Sequence, residues 1–195
     1  MKDIWKDPSV YDGMTDGPPY LPLPGSGIAK LAADASNPAD HLALLVVWHK
    51  ALAFIHQAHH WQTRGSNYYG DHLLFMRIYE GIVPLVDQLA ERAVGLGGPE
   101  KVAVGTQLSL LNQLIEHLYL DVSADVSPDM MPGLSLKAEE QLLEFMRASY
   151  DMLDKAGTLT MGVDDLLQAI ASKHEEFVYL LKQRVGGEQN DPWKL

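Results

Sequence analysis

From Ala39 to Thr63 no glycine or proline interrupts the chain, and Ser36-Asn37-Pro38 stands just before. Asn37 can cap a helix, and Pro38 fits a first turn, where a backbone N–H has no intrahelical partner to lose. A helix over this stretch is on the order of 39 Å long. An apolar element of that length can be buried only by others of comparable length. The remaining breaks are few: Arg64-Gly65-Ser66-Asn67, Gly97-Gly98-Pro99, the loop DVSADVSPDMMPG at 121–133, Gly157 and Gly186-Gly187. Such sparse punctuation favours long helices over the frequent turns of a β protein.

Between these breaks the pattern predicts a second helix from about Tyr68 to Leu96, with Pro84 imposing a kink or wide turn near Glu80 to Pro84. Leu108, Leu111, Leu114, Ile115 and Leu118 keep a helical period, giving a short amphipathic helix between Thr106 and Tyr119. Ser135 is the expected cap of a third long helix reaching Lys155, and a fourth runs from about Val163 to Val185. The expected fold is all-α: a four-helix bundle with a short extra helix in the crossover between long helices two and three. The expected organisation is an extended arm over 1–36, one bundle over 37–187 and a C-terminal tail over 188–195.

The formal charge is −11, and the first 37 residues carry three Lys against five Asp. That is a poor match to a phosphate-binding arm, so no DNA binding is expected at physiological salt. An acidic surface suits attraction of cations instead. With no cysteine, disulfides and thiolate metal sites are excluded. No apolar run reads as a membrane span of about 18 residues, and the start MKDIWKDPSVYDG lacks an apolar leader, so a cytoplasmic protein is expected.

Five of the eight histidines lie between His41 and His60. His49, His56 and His60 share one helix face, whereas His59 points roughly 100° from His60. His49 and His56 read first as core residues satisfied by hydrogen bonds, with metal ligation as the other reading. Farther on, His72, Asp87 and Glu91 fall on one helix; Asp87 and Glu91 are neighbours, but His72 lies about 22 Å from Asp87. The turn at 64–67 sets His60 and His72 at one end of the bundle and the carboxylates toward the other. One ion can join both pairs only if a second copy packs antiparallel across a two-fold axis. Nitrogen and carboxylate donors suit Fe(II), Zn or Mn, and Cu as well. The competing reading makes Asp87 and Glu91 a solvated face or partners of Arg92.

The stretch HHWQTRGSNYYGDHLLFMRIYEGIVPLVDQLAERAVGLGG, residues 59–98, resembles the signature of the Dps (DNA-protection-during-starvation) branch of the ferritin superfamily. The shared features are a His-Trp pair, an Arg-Gly turn, a second histidine and Asp-x-x-x-Glu-Arg before a Gly-Gly stop. The resemblance implies a ferritin-like bundle, with His60, His72, Asp87 and Glu91 as intersubunit ferroxidase ligands and Trp61 beside them. It also implies a homo-oligomer, by analogy a dodecamer built from two-fold dimers. That oligomer would oxidise Fe(II) with hydrogen peroxide or oxygen, store ferric mineral and protect against oxidative stress.

One departure matters. The family places an acid four residues after the second histidine, where this chain has Met76. A neutral thioether is a poor iron donor, so weaker iron binding, or zinc instead, is the alternative expectation. Glu80 or Asp71 could substitute. A Dps-derived structural or interaction protein with lost ferroxidase activity is the rival reading. A di-iron centre inside one subunit is disfavoured, because the first helix has no acid beyond Asp40 and His174-Glu175-Glu176 has the wrong order. The acids Glu139, Glu140, Glu144, Asp151 and Asp154, with Asp164 and Asp165, are expected mostly at helix surfaces or helix N-termini.

Overall fold

The computed structural model describes residues 38–118 and 126–186. The expected arm, the Asn37 cap and the C-terminal tail lie outside the described residues. Among the described residues five α-helices follow in order: α1 Pro38–Gln62, α2 Tyr68–Gly97, α3 Val104–Leu118, α4 Met131–Lys155 and α5 Met161–Val185. Short 3-10 turns at Pro99–Val102 and Pro128–Met130 precede α3 and α4. Around the bundle the neighbours are α1 with α2, α2 with α5, α5 with α4, and α4 with α1, which sets α1 diagonally across from α5. The short α3 lies in the α2-to-α4 crossover and packs on α1. The all-α bundle with a short helix in its crossover is therefore the architecture observed.

Nearly every residue of α1 from Ala39 to His49 is buried, on all sides of the helix. By length and hydropathy α1 could cross a membrane, contrary to the sequence reading, but 72% of that apolar window is buried inside the bundle. It is the core helix. The last two long helices present one buried stripe each, mostly apolar: Ser135, Glu139, Leu142, Met146, Ser149 and Leu153 on α4, and Val163, Leu167, Ile170, His174, Phe177 and Leu181 on α5. Steps of three and four residues keep these on one face.

Several boundaries differ from expectation. α2 continues as one helix through Pro84. Pro84 and Glu80, whose carbonyl loses its partner, are both exposed, so water can satisfy that carbonyl and no wide turn is needed. α4 begins at Met131, inside the expected loop, which makes Ser135 a buried helical residue and not a cap. Thr160 caps α5, its side chain accepting from the Val163 N–H, so that helix starts earlier than expected.

At Gly81 the α2 backbone approaches α5 so closely that an added Cβ would lie 2.7 Å from Phe177 Cζ. Gly81→Val is expected to push the helices apart and cost about 1–3 kcal/mol, read as a lower urea midpoint. An unchanged midpoint would show that the contact relaxes freely.

Candidate metal centre

The α1–α2 turn determines where the first two candidate ligands meet. Gly65 adopts φ +86°, a left-handed conformation open to glycine at no steric cost, and reverses the chain within a few residues. His60 and His72 are thereby brought face to face, with ring centroids 3.7 Å apart and planes inclined by 23°. Each Nδ1–H donates to the other residue's backbone carbonyl: His60 to His72 O at 2.8 Å and His72 to His60 O at 2.9 Å. A carbonyl only accepts, so both Nδ1 atoms must carry the proton. Both Nε2 atoms of the neutral rings are then lone pairs, the form in which imidazole binds a metal. Tyr79 packs edge-on to His60, and Tyr68 lies 5.1 Å from the His72 ring.

Asp87 and Glu91 stand on α2 well beyond His72, both exposed and with no side-chain partner among the described residues. Continuity of α2 keeps Asp87 about 22 Å from His72. The chain thus brings His60 to His72 but neither to the carboxylates. No group of three or more His, Asp or Glu suited to a metal ion occurs within the single chain among the described residues. Arg92 is exposed and takes no ion pair with Asp87 or Glu91. Trp61 is 66% exposed, so it is no buried packing residue of the isolated chain.

The substitutes for the missing acid fare differently. Met76 is half-buried, one turn beyond His72, and Glu80 is exposed. Asp71 is already engaged: buried, it accepts two bonds from Arg184, with Nη2 to Oδ2 at 2.9 Å. Its carboxylate serves an ion pair between the start of α2 and the end of α5.

A second set of polar groups lies in the core, where surface charge was expected for Glu139. That residue is fully buried. It accepts from His56 Nε2 at 2.7 Å and from His174 Nδ1 at 2.5 Å. His49, also fully buried, donates from Nδ1 to Leu45 O at 2.7 Å, and its Nε2 lies 3.2 Å from His174 Nε2. His59 bonds to Ser135 Oγ at 2.8 Å, which explains why a polar residue sits inside α4. Burial would raise the Glu139 carboxyl, but the charge and hydrogen bond of His174, then those of His56, override it and hold the group at about 2. His49 is pushed down to about 3 by burial and then by the charge of His174. His49 and His56 are thus hydrogen-bonded core residues. Sequence reasoning missed Glu139 and His174, although both fall on the core stripe of their helices; the three-and-four spacing was the available signal.

No protein-family profile matches the chain. An uncharacterised low temperature-induced protein of Nostoc sp. is 28% identical over 139 residues, covering 69% of this chain and 72% of that protein, and its Anabaena variabilis counterpart matches equally. Among solved structures, Dps from Thermosynechococcus elongatus superposes with a TM-score of 0.66 at 19% identity, covering 82% of this chain and 95% of that one. DpsC from Streptomyces coelicolor gives 0.66 at 21% identity, covering 84% and 90%. Dps from Vibrio cholerae, described as one of the ferritin-like diiron-carboxylate proteins, gives 0.63 at 17% identity, covering 79% and 90%.

The buried groups give acid lability a definite sign. Folded His49 stays neutral down to about pH 3, whereas an unfolded histidine takes a proton below about 6.5. The stability gained by burying it neutral is complete above pH 6.5 and is lost as pH falls toward 3, by at most about 1.4 kcal/mol per pH unit. The urea midpoint should therefore drop steadily from about pH 7 to 4, and less steeply in His49→Asn. A flat profile contradicts a neutral buried His49. By fold, the chain is like these Dps structures: an all-α four-helix bundle with a short helix in its crossover.

Proposed function

We propose that the chain is a Dps-like mini-ferritin that binds and oxidises Fe(II) at sites shared between two copies of itself. The carrying observation is the His60–His72 pair, whose backbone bonds leave both Nε2 lone pairs available beside each other. Asp87 and Glu91, on the same helix and without a side-chain partner among the described residues, are the acids that a second, antiparallel copy would bring to them. That register makes two α2 helices cross near Glu80 and Gly81. Exposed Phe54, Trp61, Tyr69, Leu73 and Val83 on the α1–α2 hairpin would then be covered, which accounts for so much apolar surface there. Two-fold pairing creates two equivalent sites per dimer.

Iron is the substrate in this reading. Each Fe(II) gives up one electron, and two electrons cleave the O–O bond of one hydrogen peroxide to hydroxide; oxygen is the slower oxidant. The imidazoles and carboxylates hold the ions at fixed positions, and ferric product is deposited inside a hollow shell of twelve subunits, whose acidic charge attracts cations. Removal of Fe(II) and peroxide together limits radical damage in the cytoplasm. The Dps structure from Microbacterium arborescens in a high iron form is a fold relative, with a TM-score of 0.62 at 21% identity.

Met76 and the engaged Asp71 favour a second reading, in which the same assembly has weak or no ferroxidase activity, holds zinc, or serves a structural role. An anaerobic Fe(II) titration followed by a peroxide pulse separates the two. Under the first reading peroxide is consumed in proportion to iron and a ferric band grows, at a rate reduced at least about tenfold in His60→Ala and Glu91→Ala. Under the second, well-folded wild-type oligomer takes up no iron, and Met76→Asp raises uptake. Shared sites have a further signature: co-assembly of His60→Ala/His72→Ala with Asp87→Ala/Glu91→Ala should restore about a quarter of wild-type activity, since one site of each mixed dimer is intact. An inactive mixture of folded, mixed dimers rules sharing out.

With no basic arm, plasmid DNA is expected to migrate unshifted at physiological salt. Retardation that weakens as salt rises would contradict this.

A further inference from the structure

The geometry points to a proton trapped at the centre of the bundle: His174 is an imidazolium that donates from Nδ1 to Glu139 and from Nε2 to His49, tying α5 to α4 and, across the diagonal, to α1. The argument is a count of donors. Because the Leu45 carbonyl can only accept, the His49 nitrogen facing it is an N–H, and Nε2 of a neutral His49 is a bare lone pair. His174 meets that lone pair with one nitrogen and a carboxylate with the other. A neutral His174 has one N–H for two acceptors, leaving either two lone pairs in contact or a nitrogen lone pair against an anion, with every group fully buried. One additional proton on the His49–His174 pair removes both conflicts, and His174, which alone of the two rings touches the Glu139 carboxylate, is the one that holds it. His56 is not its seat, since Nε2 already donates to Glu139 and Nδ1 has no acceptor.

The surroundings agree. From α1 the titratable groups facing the pair are His49 and His56, and from α4 Glu139. α2 contributes Phe75, stacked on His56, and Gly81 against Phe177, while Phe177 stands edge-on to His174. Lys173 and Glu176, which flank His174 along α5, pair with each other outside the core, and Asp71 is paired with Arg184. The depressed values of Glu139, at about 2, and His49, at about 3, fit an anion and a neutral acceptor. The trapped charge neutralises Glu139, so the core holds a closed ion pair.

This device responds to pH with a sign opposite to the acid lability above. An unfolded chain gives up the proton above about pH 6.5 while the folded chain retains it, so unfolding becomes easier as pH rises. The first test is neutron diffraction from deuterated crystals of the full chain at about pH 7.5. Deuterons are expected on both ring nitrogens of His174 and on Nδ1 alone of His49. A bare nitrogen at either position of His174, or a metal ion between the two Nε2 atoms, overturns the assignment. The second test is urea unfolding between about pH 7 and 9, where the unfolding constant should rise with pH, by up to about tenfold per pH unit, the limit for one proton. Glu139→Gln removes the anion that retains the proton and should flatten this slope. A flat wild-type profile, or the same slope in both proteins, overturns it. Should Glu139→Gln fail to fold, the diffraction result and the wild-type slope decide.

Discussion

Burial of α1 on nearly all sides dictates much of the rest of the molecule. A helix so enclosed forces α2, α4 and α3 to cover it, and it carries its histidines with it into a space without water. Each buried imidazole must then find a protein partner, because an unpaired polar group in such a place is costly. Ser149 meets His41, Ser135 meets His59 and Glu139 meets His56, all from α4. The polar residues of α4 are thus answers to the histidines of α1. Such a match specifies how the two helices register, even though a buried ion pair adds little net stability over a well-packed apolar core.

Where α1 ends, the same residue type acquires a different role. His60 is only half-buried, and its partner is a backbone carbonyl in place of an acid. Among the described residues its Nε2 takes no hydrogen bond that would compete with a metal. Histidines inside the bundle are satisfied at the expense of availability, and those at the turn are oriented without being used up. His56, bound to Glu139, and His60, one helical turn later, thus differ in whether the second ring nitrogen is already engaged, and the proposed iron site needs one that is not.

Long helices and their glycine and proline boundaries were legible in the sequence because backbone conformation at those residues is local chemistry. The meeting of His60 and His72 was legible for the same reason, since one short turn connects their helices. Ser135 was misread as a cap because a serine ahead of an apolar run looks alike at a helix start and inside a helix. Glu139 was misread because its neighbours Glu140 and Glu144 belong to the surface, and one acid among several carries no label of its own. Its partners come from residues 83 positions before and 35 after, contacts that no local pattern contains. The continuity of α2 through Pro84 depended on which way that face points, a fact of tertiary structure.

The clasp between Asp71 and Arg184 bears on the proposed pairing of two copies. By fastening the first turn of α2 to the last turn of α5, it makes the ledge that carries His72 part of a stiff body before any second copy arrives. Little ordering entropy is then left to lose on docking, so association of two copies would be governed by surface fit and desolvation more than by folding upon contact.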